Sequence, residues 1–278
     1  MSVSETHAPA TASVDAFGTR LLRWMRKRER VLLGFLGVVS LLAVWELAVV
    51  AGWIRSSMMS SPTIIYKRII TELGGDRLLP SLGVTLRAYL IGLGIATVVG
   101  IPIGFIGGWF KRASYLLEPW LAALNATPTV AIVPLILIWL GIGQTSKVFI
   151  VFLFAVFPYA FSTMVGVRQS EAEFLDVARS FGATQPKVIK SIVLPGAVPY
   201  MMTAARLAVG RALIGVVVAE LVASNTGLGF LISIASGTFD TSLLMVSVLF
   251  VGVFGLIMTE VAKAIERQFD KWRPVPTS

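Results

Sequence analysis

The sequence predicts an all-α membrane protein with six transmembrane helices and both termini in the cytoplasm. Three observations carry that prediction. First, 56% of the 278 residues are hydrophobic, only 14% are charged and the mean hydropathy is +0.82, far more apolar than a soluble domain whose surface must carry charge. Second, the apolar residues gather in six runs, about 31–53, 84–108, 119–140, 147–167, 198–222 and 243–264, each of roughly the 20 residues that cross a bilayer's hydrocarbon. Backbone polar groups in lipid must be satisfied within the segment, so each run is a helix. Third, Lys and Arg are unevenly shared between the two sides. Sixteen of the 24 flank the ends that six spans and an inside amino terminus would leave in the cytoplasm, and six flank the other ends, the bias that orients membrane helices.

The elements follow in chain order. Residues 1–19 are rich in Ser, Thr, Ala and Pro and form a flexible polar tail. Residues 20–30 (RLLRWMRKRER) are a basic cytoplasmic segment with Arg20, Arg23, Arg26, Lys27, Arg28 and Arg30. The run that follows is too long for the core of a cleaved signal peptide and lacks a small-x-small cleavage site, so residues 31–278 are read as the transmembrane domain. In the outer segment 54–83, Ser61 is placed to cap a helix begun by Pro62. Its Ile64, Ile65, Ile69, Ile70 and Leu73 alternate with Lys67, Arg68 and Glu72, which reads as an interfacial helix. The third span carries Asn125, Thr127 and Thr129 around Pro128, with Pro134 further on. Two readings coexist there: proline kinks whose freed carbonyls are taken by Thr hydroxyls, and a polar lining, since polar groups facing lipid are costly.

Between spans four and five lies a charged cytoplasmic loop, 169–195, containing EAEFLDVARSFGATQPKVIKSIVLP. Phe174, Val177, Ala178 and Phe181 share one face of a short helix, with Glu171, Glu173 and Asp176 in its early turns, where the helix dipole favours negative charge. Gly182 sits where a residue of positive φ would close that helix. Thr184 then caps a second helix with Pro186 in its first turn and Val188, Ile189, Ile192 and Val193 on its apolar face, and Leu194-Pro195 ends it. A DNA-reading helix-turn-helix has this local shape but needs a separable domain, and spans begin close by on both sides. A plain amphipathic connector and a docking surface for a cytoplasmic partner are the other two readings.

The fifth span carries Arg206 and Arg211, with Glu220 towards its outer end. A mid-span guanidinium needs company. Arg211 either pairs with a carboxylate, Glu46 or Glu220, or faces water and draws an anion. Beyond it, Gly227 and Gly229 in SNTGLGFLISIASGTFDTS (224–242) permit a tight or re-entrant turn. Several chemistries are excluded at this stage. There is no Cys, and the single His7 lies in the tail, so thiolate, iron–sulfur, haem and Cys- or His-based active sites have no donors. No metal site is expected and no catalytic residue is assigned. No G-x-x-x-x-G-K-[ST] phosphate cradle occurs. The formal net charge of +9 follows from the inside bias without a nucleic-acid partner.

Spacing in the loop selects the docking surface. Asp176-Val177-Ala178, three residues, Gly182, nine residues, Ile192 and then Leu194-Pro195 resembles the E-A-A-x3-G-x9-I-x-L-P loop of ATP-binding-cassette importer permeases, with Asp176 in place of Glu and Val177 in place of the first Ala. Ser61-Pro62, GIPIGFIGGW (100–109), ATPTVAIVPLILIWLGIGQTSK (126–147), FGATQPKVIKSIVLPGAVPY (181–200), GRALIGVVVAELVASNTGLGFLI (210–232) and RQFDKW (267–272) look like the nitrate/sulfonate/taurine subgroup. The resemblance implies a type I importer permease in a bacterial inner membrane, carrying a small anionic solute. It further implies two copies of an ATPase subunit that binds ATP and Mg, a second permease forming a homodimer, an extracytoplasmic substrate-binding protein, and no cofactor in this chain. Phe174, Asp176, Val177, Ala178, Phe181, Gly182, Ile192, Leu194 and Pro195 would dock the ATPase, and Asn125, Thr127, Thr129, Arg211 and Glu220 would line the path. The alternative class is an ion-coupled secondary transporter using Glu46 and Glu220, against which the loop and the absence of an evident inverted repeat stand.

Overall fold

The computed structural model describes residues 33–55, 58–169, 177, 178 and 180–269. The tail, the basic segment, Phe174 and Asp176 lie outside the described residues. All regular structure among those described is helical: α1 (Leu33–Val50), α2 (Pro62–Leu73), α3 (Leu78–Trp109), α4 (Lys111–Ala126), α5 (Thr129–Leu140), α6 (Gln144–Arg168), α7 (Gln185–Val188), a π turn (Ile189–Val193), α8 (Leu194–Ala223), α9 (Leu228–Gly237) and α10 (Thr241–Gln268). The described residues divide into two compact units, one up to Ile64 and the other from Ile65 on. In the first, Glu46 of α1 accepts from Ser61 Oγ at 3.0 Å and from the Thr63 amide at 2.9 Å. Ser61 Oγ in turn accepts from the Ile64 amide at 3.4 Å. The expected cap of α2 is therefore in place, with a carboxylate added where the helix dipole favours it.

In the second unit α6 is the central helix, packed by α3 and by α8. Ala88, Gly92, Ala96, Gly100, Gly104 and Gly108 recur every fourth residue along α3, a ridge of small residues that lets two backbones approach. A Cβ added at Gly92 would lie 2.6 Å from Cβ of Val151, at Gly100 2.7 Å from that of Tyr159, and at Gly108 2.7 Å from that of Val167. Both sets of numbers rise together, so α3 and α6 run parallel. Gly215 meets Phe154 and Gly166 meets Tyr200, so α8 runs antiparallel to α6. Gly255 meets Leu213 and Glu266 pairs with Arg206, so α10 turns back again.

The sequence runs map onto helices, with several differences. α3 starts at Leu78, ahead of 84. The 119–140 run is not one helix: α4 and α5 meet at a bend of 97° across Thr127–Pro128, because a proline bars the residue before it from helical geometry. The Thr127 hydroxyl donates to the Ala123 carbonyl at 2.9 Å, a carbonyl that the Thr127 amide already reaches at 3.1 Å and so not one freed by Pro128. Leu194-Pro195 does not end a helix. α7 continues through the π turn into α8, with the Leu194 amide reaching back five residues to Ile189. The wider turn relieves the clash a proline ring makes with the carbonyl four residues before it. Among the described residues, four helices are long and apolar enough to cross a membrane, and five if the bent pair counts as one span. α8, with Arg206, Arg211 and Glu220 along its length, is not among them. Large apolar side chains such as Val98, Ile138, Leu256 and Ile257 stay exposed on the outer faces, as hydrocarbon allows and water does not.

Candidate functional site: an apolar turn, a polar seam and a buried clasp

At the end shared by the carboxyl termini of α3, α6 and α10, the chain makes the turn around Gly182. Val177, Ala178 and Ser180 are helical. The Ala183 amide closes the turn on the Ala178 carbonyl at 2.9 Å, with Gly182 at φ +69°, the left-handed residue that ends a helix and that glycine adopts without strain. Thr184 occupies the cap position of α7 through its backbone, accepting from the Lys187 and Val188 amides at 3.0 Å; its side chain makes no capping bond. Val188 and Val193 are buried against Val167, Ala197 and Met201, with Ala178 and Ala183 alongside. The face expected for Val177 and Phe181 is different. Both are exposed, Phe181 to 86%, and Leu194 is exposed too, while Ile192 and Pro195 are half-buried. The turn is therefore fixed from below and bare on top.

Near the bend between α4 and α5, Arg211 Nη1 donates to Asn125 Oδ1 at 3.0 Å. Of the two arrangements open to Arg211, neither candidate carboxylate is its partner, since Glu46 caps α2 and Glu220 is occupied elsewhere. Asn125, Thr127 and Arg211 are exposed and Thr129 half-exposed. Arg211 bonded to Asn125, with Thr127 and Thr129 following Asn125 in the chain, is a polar seam beside the bend.

Glu220 corrects the expectation that it lines a path: it is 0% exposed. Its carboxylate accepts from Thr85 Oγ1 at 2.9 Å and from the Gly229 amide at 3.0 Å, and lies 3.7 Å from Lys147 Nζ. Lys147, 2% exposed, also donates to the Thr226 carbonyl at 2.8 Å, and Thr85 Oγ1 accepts from the Leu228 amide at 2.9 Å. α3, α6 and α8 thus clasp the amino terminus of α9, whose unpaired amides suit a carboxylate. Glycine at 227 is obligatory twice over: φ is +113°, and a Cβ there would overlap the Glu220 carboxylate. Lys147 and Thr85, neither of them among the residues the sequence marks for a site, complete the clasp. The available signal was a lone Lys and a lone Glu, each inside an apolar run, which lipid-facing positions would not tolerate. Two further pairs were not foreseen. Arg206 donates to Glu266, and Arg168 bridges to Glu118 at 2.7 Å and to Ser114 at 2.5 Å.

These places define a class: an all-helical membrane protein with an ion pair held inside its helix packing. The chain belongs to the family of binding-protein-dependent transport system inner membrane components, whose model matches residues 100–273. It is 30% identical over 251 residues to the putative aliphatic sulfonates transport permease of Bacillus subtilis, covering 89% of this chain and 90% of the relative. It is 31% identical over 232 residues to the riboflavin transport system permease of Chloroflexus aurantiacus, covering 84% and 87%. Its fold is similar to the membrane subunit in the inward-facing MetNI methionine ABC transporter, with a TM-score of 0.61 at 14% identity over 69% of this chain and 95% of that one. The protein is a multi-pass inner-membrane permease subunit of an ABC importer. It is not itself an enzyme, and ATP is bound by a partner ATPase.

Proposed function

We propose that this permease carries a small anionic organic solute, a sulfonate or a compound of similar chemistry, through six spans with both termini in the cytoplasm. It would act as a homodimer served by two ATPase copies and an extracytoplasmic binding protein. Exposed Phe181 and Val177 above a glycine-closed turn carry the ATPase-docking part of the reading, because an apolar side chain held bare on a rigid base is what a partner's cleft would cover. Ala178, Gly182, Ile192, Leu194 and Pro195 complete that surface, and the loop's resemblance adds Phe174 and Asp176 to the docking set. Six spans are supported by helix direction. α3 and α6 are parallel, so the bent α4–α5 pair must carry the chain back between them, and α8 must return it once more before α10.

The seam of Asn125, Thr127, Thr129 and Arg211 is the part of the path this chain supplies. Among the described residues its guanidinium pairs with no carboxylate, which favours an anionic solute, and the sulfonate relative agrees with that. An ion-coupled mechanism is weakened by the fate of its two carboxylates, since Glu46 caps a helix and Glu220 is locked beneath α9. Uptake by proteoliposomes holding the permease and its ATPase tests the reading. Sulfonate accumulation should require internal ATP and the ATPase subunit, and accumulation driven by an ion gradient alone would overturn it.

A further inference from the structure

Among the described residues, Phe239 is the only non-glycine residue with positive φ, at +55°. It closes α9 by a six-residue turn in which the Asp240 amide donates to the Ala235 carbonyl at 2.9 Å and the Phe239 amide to the Ser236 carbonyl at 3.3 Å. Glycine or asparagine normally takes that position, because a Cβ there costs about 1–2 kcal/mol. Phe239 gains nothing in return from burial: its side chain is 82% exposed. The turn beneath it is rigid. Asp240 caps α10 by accepting from the Leu243 amide at 3.0 Å and takes Arg68 of α2 at 3.0 Å, and Arg68 also holds Glu72 at 3.0 Å. α10 has 28 residues, so this turn stands about 40 Å from the Gly182 end.

From this geometry we infer that Phe239 is an aromatic anchor for the extracytoplasmic binding protein, inserted into an apolar pocket on that partner's surface. The inference rests on the importer reading, which puts the Phe239 end outside the cytoplasm. Exposed apolar residues elsewhere, such as Leu256 and Ile257, ride on regular helix at no backbone cost. A strained residue persists where the position of its side chain is needed. An aromatic centre with a charged rim, here the Arg68–Asp240–Glu72 network beside the ring, is the usual anatomy of a protein contact.

The test uses the full permease–ATPase complex in nanodiscs, titrated with the importer's substrate-binding protein and read by stimulation of ATP hydrolysis. Phe239→Asn, which suits a left-handed residue, should leave the Tm equal or higher while weakening the half-maximal binding-protein concentration at least tenfold. Phe239→Trp should keep the wild-type value. Unchanged stimulation in Phe239→Asn overturns the inference and leaves the ring to the outer leaflet. A lowered Tm in that variant overturns it as well, by showing the ring stabilises the fold. A wild-type complex that does not respond to the binding protein overturns the importer reading itself, and this inference with it.

Discussion

Two helix ends on opposite sides of the molecule are closed by the same hydrogen bond, an amide reaching back five residues, and they differ in the residue that takes the left-handed position. At 182 it is glycine, free of strain, with open space where a Cβ would go. At 239 it is phenylalanine, strained and bare. The bonds beneath the two turns differ as well. The first rests on apolar packing of Val188 and Val193; the second rests on ions, with Asp240 fixed by Arg68 and, at the other end of α9, Glu220 fixed by Lys147. A turn on packed side chains can slide as a unit while its neighbours tilt. A turn pinned by directional polar contacts at both ends of a ten-residue helix holds one geometry.

The comparison breaks most severely at the clasp. Lys147→Met leaves the Glu220 carboxylate buried without its cation, which costs about 3–5 kcal/mol, and should lower the Tm of the complex in nanodiscs and open residues 224–240 to protease. Adding Glu220→Gln should restore much of the Tm, because the amide still accepts from Gly229 and no charge is stranded. Equal loss in the single and double variants would show that the two side chains do not act as a pair.

A smaller effect is expected at the glycine turn. Gly182→Ala forces a Cβ into left-handed geometry at about 1 kcal/mol, with no clash inside this chain. Gly182→Asp adds a charge to the surface that would meet the ATPase and should abolish its co-purification while membrane insertion is retained. If Gly182→Asp and Gly182→Ala lose the ATPase equally, backbone strain rather than the partner's surface is what matters there.

How much of this was legible in the sequence follows the range of the signals. The Gly182 turn was readable because it is local: apolar spacing, a glycine and a Pro186 start lie within one stretch, as does the Ser61 cap. The 97° break was half readable, since Pro128 marks a boundary but not an angle. The Lys147–Glu220–Thr85 clasp joins residues up to 135 apart in the chain, and no local pattern announces such a pair. The parallel seam of α3 on α6 was written plainly in the four-residue spacing from Ala88 to Gly108, yet it says only that some backbone approaches, not which. Phe239 was invisible because a phenylalanine in a turn carries no sequence mark of positive φ.

The smallest structural effect is expected at Arg211, and that makes it the sharpest probe of transport. Its bond to Asn125 at 3.0 Å is exposed, so Arg211→Gln, which can still donate to the Asn125 oxygen, should change Tm little and leave ATPase co-purification intact. What it removes is the fixed positive charge. If the seam receives the solute, sulfonate uptake should fall while ATP hydrolysis stimulated by the binding protein continues, because neither turn has been touched. Arg211→Lys should recover part of the uptake by restoring charge without the planar fork that meets an oxyanion with two bonds. Loss of assembly in Arg211→Gln would instead make the arginine a brace between α4 and α8, and unchanged uptake would place the solute's charge against some other residue of the seam.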